Sequence, residues 1–281
     1  MLGQSLILTL KQNGFKEIYM ISKTKNIVLD DVNLIQLNDL ESRSLDFYCF
    51  FHCAAEVNVN LCEKDFKHAI HSNVDYTRLL FSKIKSEKLF YISTDAVYDG
   101  FIGDYKEVDN TSPINNYAQS KLLGEKVVDE LAEKYYIIRT NIFGRNSKNK
   151  NSLFEWGENE IKQGKNIPGY TNMFFNPLYV GHLAQVLIEI MRNNLNFGIY
   201  NIGSSEYISK YIFLQLEAEF LNCNQKLIQP IEYVTQKDCA ARPINTTLNC
   251  SKLLKKMPNL DLSIQRSFSI LKQEYRKYEK N

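Results

Sequence analysis

The sequence predicts an α/β protein with a doubly wound parallel sheet and a second, smaller C-terminal lobe. Two observations predict this class. Short apolar and aromatic runs alternate with stretches of 3.6-residue periodicity as far as Gly144, and the pattern loosens after it. Continuous apolar runs are typical of strands buried on both faces, and their alternation with helices favours right-handed crossovers. We therefore expect one domain over residues 1–145 and a second lobe over 146–281.

The elements of the first domain follow in order. Strands are predicted at residues 17–22, 45–54, 89–94 and 135–140, where the sequence is nearly all apolar or aromatic. Helices are predicted at 65–86 and 115–134, where apolar residues recur every three to four positions. This order of elements favours a parallel sheet.

The second half is predicted to be mainly helical. After a polar loop, helices are expected at residues 153–165 and within 177–194. Residues 198–204 are predicted to form one more buried strand, which returns to the sheet of the first domain. The rest is expected to be helical, apart from an extended segment at 242–249.

Composition excludes several classes of function. The formal net charge of +2 gives no reason to expect nucleic acid or an anionic membrane as a partner. No apolar run approaches the ~18 residues of a membrane span, and the first residues are too polar for a signal peptide. We therefore expect a cytoplasmic protein.

The cysteines form no C-x-x-C pair; they are Cys49, Cys53, Cys62, Cys223, Cys239 and Cys250. Their spacing favours free thiols over a disulfide framework or a zinc site. The four histidines are scattered, and no metal site is expected.

The most informative local pattern is Tyr117 followed by Lys121 within a predicted helix. Residues four apart share a helix face, so the phenol and the ammonium can enter one cleft. Taken alone, the pattern also describes a solvated surface pair.

The preceding strand strengthens the chemical interpretation. It ends in Ser93, Thr94 and Asp95, at the carboxyl edge of the sheet, where folds of this class bind their ligands. A hydroxyl, a tyrosine and a lysine are the groups needed to reduce a carbonyl with a nicotinamide cofactor. The alternative is that Thr94 is only a strand-end hydroxyl.

The tyrosine must release its proton near neutral pH. Its ordinary pKa is about 10, so a pKa three units lower requires about 4 kcal/mol of differential stabilisation. We expect the Lys121 ammonium and an oxidised nicotinamide to supply it together in a partly dry cleft.

The chain resembles the extended short-chain dehydrogenases/reductases, and within them the dTDP-4-dehydrorhamnose reductase group. The resemblance covers almost the whole chain. It is carried by HCAAEVN (52–58), SNVDYTRLL (72–80), STDAVYDG (93–100), SPINNYAQSKLLGE (112–125), IIRTNIFG (137–144), NPLYVGHLA (176–184) and ARPINTTLNCSKL (241–253). The resemblance implies a Rossmann-like domain and reduction of a nucleotide-linked 4-keto-6-deoxy sugar for surface polysaccharide synthesis.

The resemblance also implies roles for single residues. Thr94 would position the keto oxygen, Tyr117 would donate the proton, and Lys121 would hold the nicotinamide ribose. The further implied cofactor-binding residues are Leu2, Gly3, Ser22, Lys23, Cys53, Ala54, Ala55 and Asn73. Asp95, Asn141 and Arg242 would face the nucleotide sugar; a surface cation is the alternative for Arg242. Relatives also suggest a homodimer.

Two alternatives are weighed against this function. One is a catalytically silent binding or regulatory subunit with the same fold. The other is an epimerase or dehydratase, which Ala96 disfavours because related enzymes carry a Glu or a Cys at that position. For the cofactor, the hydroxyl and cations of SKTK (22–25) suit the 2′-phosphate of NADP, although NAD stays an alternative.

The chain begins MLGQSL, which resembles the end of a glycine-rich phosphate loop, with Gly3 as its last glycine. The first strand and the earlier glycines are not in the sequence. A start assigned too late, at an internal Met, explains this more simply than decay; a real truncation is the alternative. We expect two unpaired strand edges, and weak or no NADPH binding by this chain.

Overall fold

The computed structural model describes residues 1–23, 29–42, 44–146, 152–235 and 239–278. The helices are α1 (Leu2–Gln12), α2 (Val59–Lys64), α3 (Phe66–Ile70), α4 (Tyr76–Lys83), α5 (Asn116–Leu131), α6 (Leu153–Lys162), α7 (Val180–Asn193), α8 (Lys210–Phe220), α9 (Ser251–Lys256) and α10 (Ile264–Tyr278). The strands are β1 (Tyr19–Ser22), β2 (Asn33–Gln36), β3 (Leu45–His52), β4 (Ile84–Ile92), β5 (Tyr135–Thr140), β6 (Ile142–Phe143), β7 (Ile167–Tyr170), β8 (Phe174–Phe175), β9 (Leu178–Tyr179), β10 (Gly198–Ile202), β11 (Ile208–Ser209) and β12 (Ile228–Ile231).

The central sheet is parallel, in the order β10-β5-β4-β3. β10 returns to it as predicted, pairing with β5 from Gly198 to Ile202. β1 and β2 form a separate parallel pair. Within the described ranges no strand pairs with both β1 and β3: β1 pairs with β2, and β3 pairs with β4. Each of the two therefore keeps one unpaired edge, as expected from the sequence.

Both faces of the sheet are covered, which confirms the doubly wound α/β class. Side chains alternate along β4: Phe90 contributes to the core that contains α7, whereas Leu89 and Tyr91 contribute to the core that contains α4 and α5. α1 packs against α7 on the first side. This alternation follows from the period of two in a strand.

The part of the chain after residue 204 is less helical than predicted. Short strands β11 and β12 pair with β8 and β7, outside the central sheet. Each pairing contains polar or proline positions that a search for continuous apolar runs passes over, such as Pro168 opposite Gln229. No helix in the described ranges is long and apolar enough to cross a bilayer.

Candidate active site

The predicted reactive residues meet at the carboxyl ends of β3 and β4. β3 leads into Cys53 and Ala54, β4 leads into Thr94, and α5 begins nearby with its own polar groups. Parallel strands gather their carboxyl ends at one edge, so residues far apart in sequence come together there.

Thr94 and Asp95 are fixed by a short network. The Thr94 hydroxyl accepts from the Ala96 N–H at 3.2 Å and donates to Asp95 Oδ1 at 3.0 Å. Asn141 Nδ2 donates to the other Asp95 oxygen at 2.7 Å. Burial raises the pKa of Asp95, and hydrogen bonds from Thr246, Asn141 and Thr94 oppose that rise. The structure therefore brings together three residues that were predicted separately.

Helix α5 orients Tyr117 and Lys121. The Asn115 side chain caps the helix by accepting from the Ala118 N–H at 2.9 Å. The Lys121 side chain is buried, with Nζ 4.1 Å from the centre of the Tyr91 ring. Desolvation lowers the pKa of Lys121 to about 7, while the Glu125 carboxylate opposes this effect.

The pKa of Tyr117 moves in the opposite direction to the one expected from the sequence. Burial raises it, a hydrogen bond with the Thr94 hydroxyl lowers it, and the charge of Asp95 raises it further. Removing a phenolate from water costs more free energy than the hydrogen bond with Thr94 offsets. The folded protein thus holds Tyr117 in its protonated form, which is the form required of a proton donor.

A buried ion pair that the sequence analysis missed lies beneath the site. Arg139 of β5 donates to both oxygens of Glu125, at 3.0 Å and 2.7 Å, and both side chains are at most 5% exposed. Ser93 donates to the same carboxylate at 2.5 Å. The signal was present, because an arginine inside an apolar strand requires an acidic partner.

Asn73 lies in a π-helical turn, His71–Asp75, between α3 and α4. Its amide oxygen accepts from the Glu56 N–H at 2.8 Å, and its nitrogen donates to Glu56 O at 3.0 Å and Ser120 Oγ at 2.8 Å. It therefore joins the loop after β3 to α5. Single π-helical turns are frequent at functional sites.

The predicted cofactor residues lie on the α1 side of this edge. Burial raises the pKa of Cys53 to about 12, and the charges of the Met1 amino group and Lys121 oppose this rise, so the start of α1 adjoins Cys53. Around Gly3, a Cβ atom would meet nothing within 4 Å among the described residues, so this glycine allows no close contact with another element.

The other end of the predicted cofactor site is at β1. Ser22 ends this strand, and Lys23 Nζ lies 3.3 Å from the centre of the Tyr76 ring. Thr24 and Lys25, the rest of the predicted basic turn, lie outside the described residues. Ala54 is exposed and Ala55 is partly exposed, on the loop after β3.

Of the three predicted substrate residues, Asn141 lines a cavity of about 130 Å³, together with Phe143, Ser152, Phe175, Lys210 and Phe213, among others. Arg242 Nη2 donates to Asn60 Oδ1 at 3.1 Å. The segment of Arg242 is held against the loop after β4, because Ile244 N–H and Asn245 N–H donate to Gly100 O at 3.0 Å and 2.8 Å. Lys210 was not predicted, although a lysine that opens a helix is unusual.

The comparison with known families agrees with this geometry. The family model described as RmlD substrate binding domain matches residues 1–267. The chain belongs to this family.

Relatives within and around the RmlD family have more than one role. A dTDP-4-dehydrorhamnose reductase of Aggregatibacter actinomycetemcomitans is 27% identical over 304 aligned residues, with 100% of this chain and 94% of the relative covered. The methionine adenosyltransferase 2 subunit beta of Xenopus tropicalis is also 27% identical, over 91% of this chain and 79% of its own length. The chain is thus similar to a reductase and to a subunit.

A solved structure supports the fold. The dTDP-4-dehydrorhamnose reductase of Bacillus anthracis, in complex with NADP, superposes with a TM-score of 0.74. The match covers 92% of this chain and 98% of that one, at 22% identity.

Proposed function

We propose that the protein is a reductase of a nucleotide-linked 4-keto-6-deoxy sugar, using NADPH, with NADH as a less favoured donor. The observation that carries this proposal is the group of Thr94, Tyr117 and Lys121 at one sheet edge, with Thr94 and Lys121 buried. Membership in the RmlD family and the similarity to a dTDP-4-dehydrorhamnose reductase support it. Surface polysaccharide synthesis and the cytoplasm are the setting we infer; no disulfide joins the cysteines among the described residues, as is usual in a reducing compartment.

The residues present fit a nicotinamide dinucleotide. Lys121 Nζ makes no hydrogen bond to the described residues, so its protons are free for the nicotinamide ribose hydroxyls. The N-terminus of α1, with open space at Gly3, would receive the pyrophosphate. Lys23 and Ser22 would lie toward the adenosine end. When bound, NADPH supplies the hydride.

The protein's own residues supply the proton and the orientation. The Thr94 hydroxyl donates its single proton to Asp95 in this structure, and with substrate bound it would turn to donate to the keto oxygen. Tyr117 would transfer its own proton to that oxygen as the oxygen gains electrons. The phenolate that remains would be stabilised by the Lys121 ammonium on the same face of α5. Asn141 donates to Asp95 and would contact the substrate at the other end of this hydrogen-bond network.

We expect Tyr117→Phe to lower the rate of NADPH oxidation by about 10²- to 10⁴-fold, because the phenyl ring has no proton to transfer. The measurement is loss of NADPH absorbance with a panel of dTDP-, UDP- and GDP-linked keto sugars, at millimolar NADPH. High NADPH is needed because the described residues offer mainly a helix N-terminus to the pyrophosphate. NADPH binding, measured by its fluorescence, should survive.

The matched control is Tyr135→Phe, which removes a hydroxyl that donates to Asp129 at 2.5 Å, outside the site. It should leave turnover unchanged. Equal rates for Tyr117→Phe and the native protein would show that Tyr117 is not the proton donor.

A second candidate function is a non-catalytic subunit, favoured by the similarity to a methionine adenosyltransferase 2 subunit beta. The same assay separates the two. Binding of NADPH with no consumption across the whole sugar panel would support the subunit and contradict the reductase.

A further inference from the structure

The buried carboxylate of Glu125 joins three elements around the site. Glu125 lies one turn after Lys121 and two turns after Tyr117, so the three side chains share one face of α5. The Ser93 hydroxyl, directly after β4, donates to Glu125 Oε1 at 2.5 Å, and Arg139 of β5 donates to both carboxylate oxygens. Two strand ends are therefore tied to the helix face that carries the reactive residues.

Ser93 fixes the end of β4 in two directions. Its backbone N–H donates to Ile138 O at 2.7 Å, which holds it against β5, and its hydroxyl holds it against α5 through Glu125. Ser93 is only 5% exposed, so the carboxylate receives this hydroxyl proton in place of water. Because Thr94 is the next residue, both contacts act beside the hydroxyl proposed to bind the keto oxygen.

A second polar contact between β4 and α5 is weaker. The Tyr91 hydroxyl donates to Lys121 O at 3.3 Å, which is long for a bond between two oxygens. The bond from Ser93 to Glu125 is shorter and ends on a charged oxygen, and charge-assisted hydrogen bonds are about twice as strong as neutral ones. Of the two contacts, the one with Ser93 therefore does more to set how the strand lies against the helix.

We propose that Ser93 and Glu125 are positioning residues that set the distance between Thr94 and Tyr117, an inference that rests on the proposed function. The strand end carries Thr94 and the helix carries Tyr117, and the keto oxygen must lie within hydrogen-bond reach of both. A displacement of about 1 Å can lower a rate by about 100-fold. Arg139 balances the charge of the carboxylate, so Glu125 can be buried at this point.

The test is Ser93→Ala in the full chain, which removes the hydroxyl and leaves the ion pair of Glu125 and Arg139 in place. We expect kcat for keto-sugar reduction to fall at least about tenfold because Thr94 and Tyr117 lose their relative position. The KM for the sugar should stay within about twofold, because the Ser93 hydroxyl is already bonded within the protein. The measurement is loss of NADPH absorbance, with the sugar panel and NADPH concentration used for Tyr117→Phe.

Ser267→Ala is the matched control. Ser267 is also buried, and its oxygen lies 3.1 Å from the Tyr179 nitrogen, from which it accepts, and 2.9 Å from His182 Nδ1, in α10 and outside the site. Its loss should lower the urea midpoint of unfolding about as much as Ser93→Ala does, and should leave kcat unchanged. An equal fall in kcat in the two serine variants would show that Ser93 has only a structural role.

Hydrogen exchange followed by NMR measures the same contact without turnover. The Ala96 N–H donates to Thr94 Oγ1 at 3.2 Å, in the turn after β4. Its exchange should be at least about tenfold faster in Ser93→Ala and unchanged in Ser267→Ala.

Two results would overturn the inference: an unchanged kcat in a folded Ser93→Ala protein, or unchanged exchange of the Ala96 amide. If that exchange depends on Ser93 but the native protein reduces no keto sugar, the proposed function fails and the tie between β4 and α5 stands.

Discussion

Glu217 of α8 is a fully buried carboxyl group without a hydrogen bond to either oxygen among the described residues. It is pressed against α6, where a Cβ atom on Gly157 would lie 2.5 Å from Glu217 Oε2. Burial and, to a smaller extent, the charge of the nearby Glu158 carboxylate raise the pKa of Glu217 to about 9. Glu217 is therefore protonated in the folded protein at neutral pH.

This residue makes stability depend on pH. In the unfolded chain Glu217 ionises near its ordinary pKa of 4.5, whereas in the folded protein it keeps its proton to about 9. Between these values the folded state binds one more proton, so the free energy of unfolding falls as pH rises. We expect Glu217→Gln to stabilise the protein by about 2–3 kcal/mol at pH 8 and by little at pH 5.

Urea unfolding at pH 5 and pH 8 measures this difference. Glu219→Gln is the control, because Glu219 is exposed on the same helix. A Glu217→Gln protein that gains no more stability at pH 8 than at pH 5 would contradict the buried, protonated state.

At the residue scale, the reactive groups could be predicted from the sequence, whereas the residues that surround them in space could not. Thr94, Asp95, Tyr117 and Lys121 could be predicted because each stands at a position fixed by a strand end or a helix face. Their meeting is seen in the structure, while their roles stay predictions. Lys210 was not predicted, because its place at the cavity beside Asn141 depends on packing between distant segments of the chain.

At the scale of elements, the close contact of α5 with β4 depends on Gly124. A Cβ atom there would lie 2.1 Å from Tyr91 Oη and 2.8 Å from the backbone oxygen of Asn73. We expect Gly124→Ala to destabilise the protein by about 1–3 kcal/mol, although alanine is the better helix former. Chemical denaturation gives the magnitude.

Gly3→Ala is the matched comparison, because Gly3 is also helical and has open space around it. It should be neutral or stabilising by up to about 1 kcal/mol. If both variants change stability equally, packing at Gly124 is not the reason for its glycine.

The predicted boundary between helix and strand was wrong where β4 extends beyond its neighbour β5. The helix predicted at 65–86 ends at Lys83, and β4 begins at Ile84. Ile84 pairs with Leu45 of β3, but pairing with β5 starts only at Leu89. With a neighbour on one side only, this first part of β4 tolerates polar residues, which hide it from a search for apolar runs.

At the scale of the whole molecule, the β1–β2 pair forms no strand pairing with the central sheet among the described residues, and side chains join it to the rest. Ile35 and Leu40 pack into the cluster that contains Leu80 and Phe81, and Lys23 lies on Tyr76. The large core around α7 draws residues from both halves of the chain, such as Tyr136 and Phe213. The division at residue 145 stays a prediction.

We expect amide protons of β1 to exchange with solvent at least about 100-fold faster than those of β4 and β5, because opening this pair breaks no hydrogen bond of the central sheet. Hydrogen exchange followed by mass spectrometry, on peptides from each strand, measures this. Equal protection in β1 and β5 would show that the two sheets open as one unit.

The start of α6 has a practical consequence. Ser152 and Leu153 border the cavity, and Trp156, the only tryptophan of the sequence, follows within the same turn, partly buried against the core. An aromatic reporter therefore stands beside the proposed substrate site without any label. In the absence of NADPH its emission gives an optical titration of nucleotide-sugar ligands, because a reduced nicotinamide absorbs where tryptophan emits.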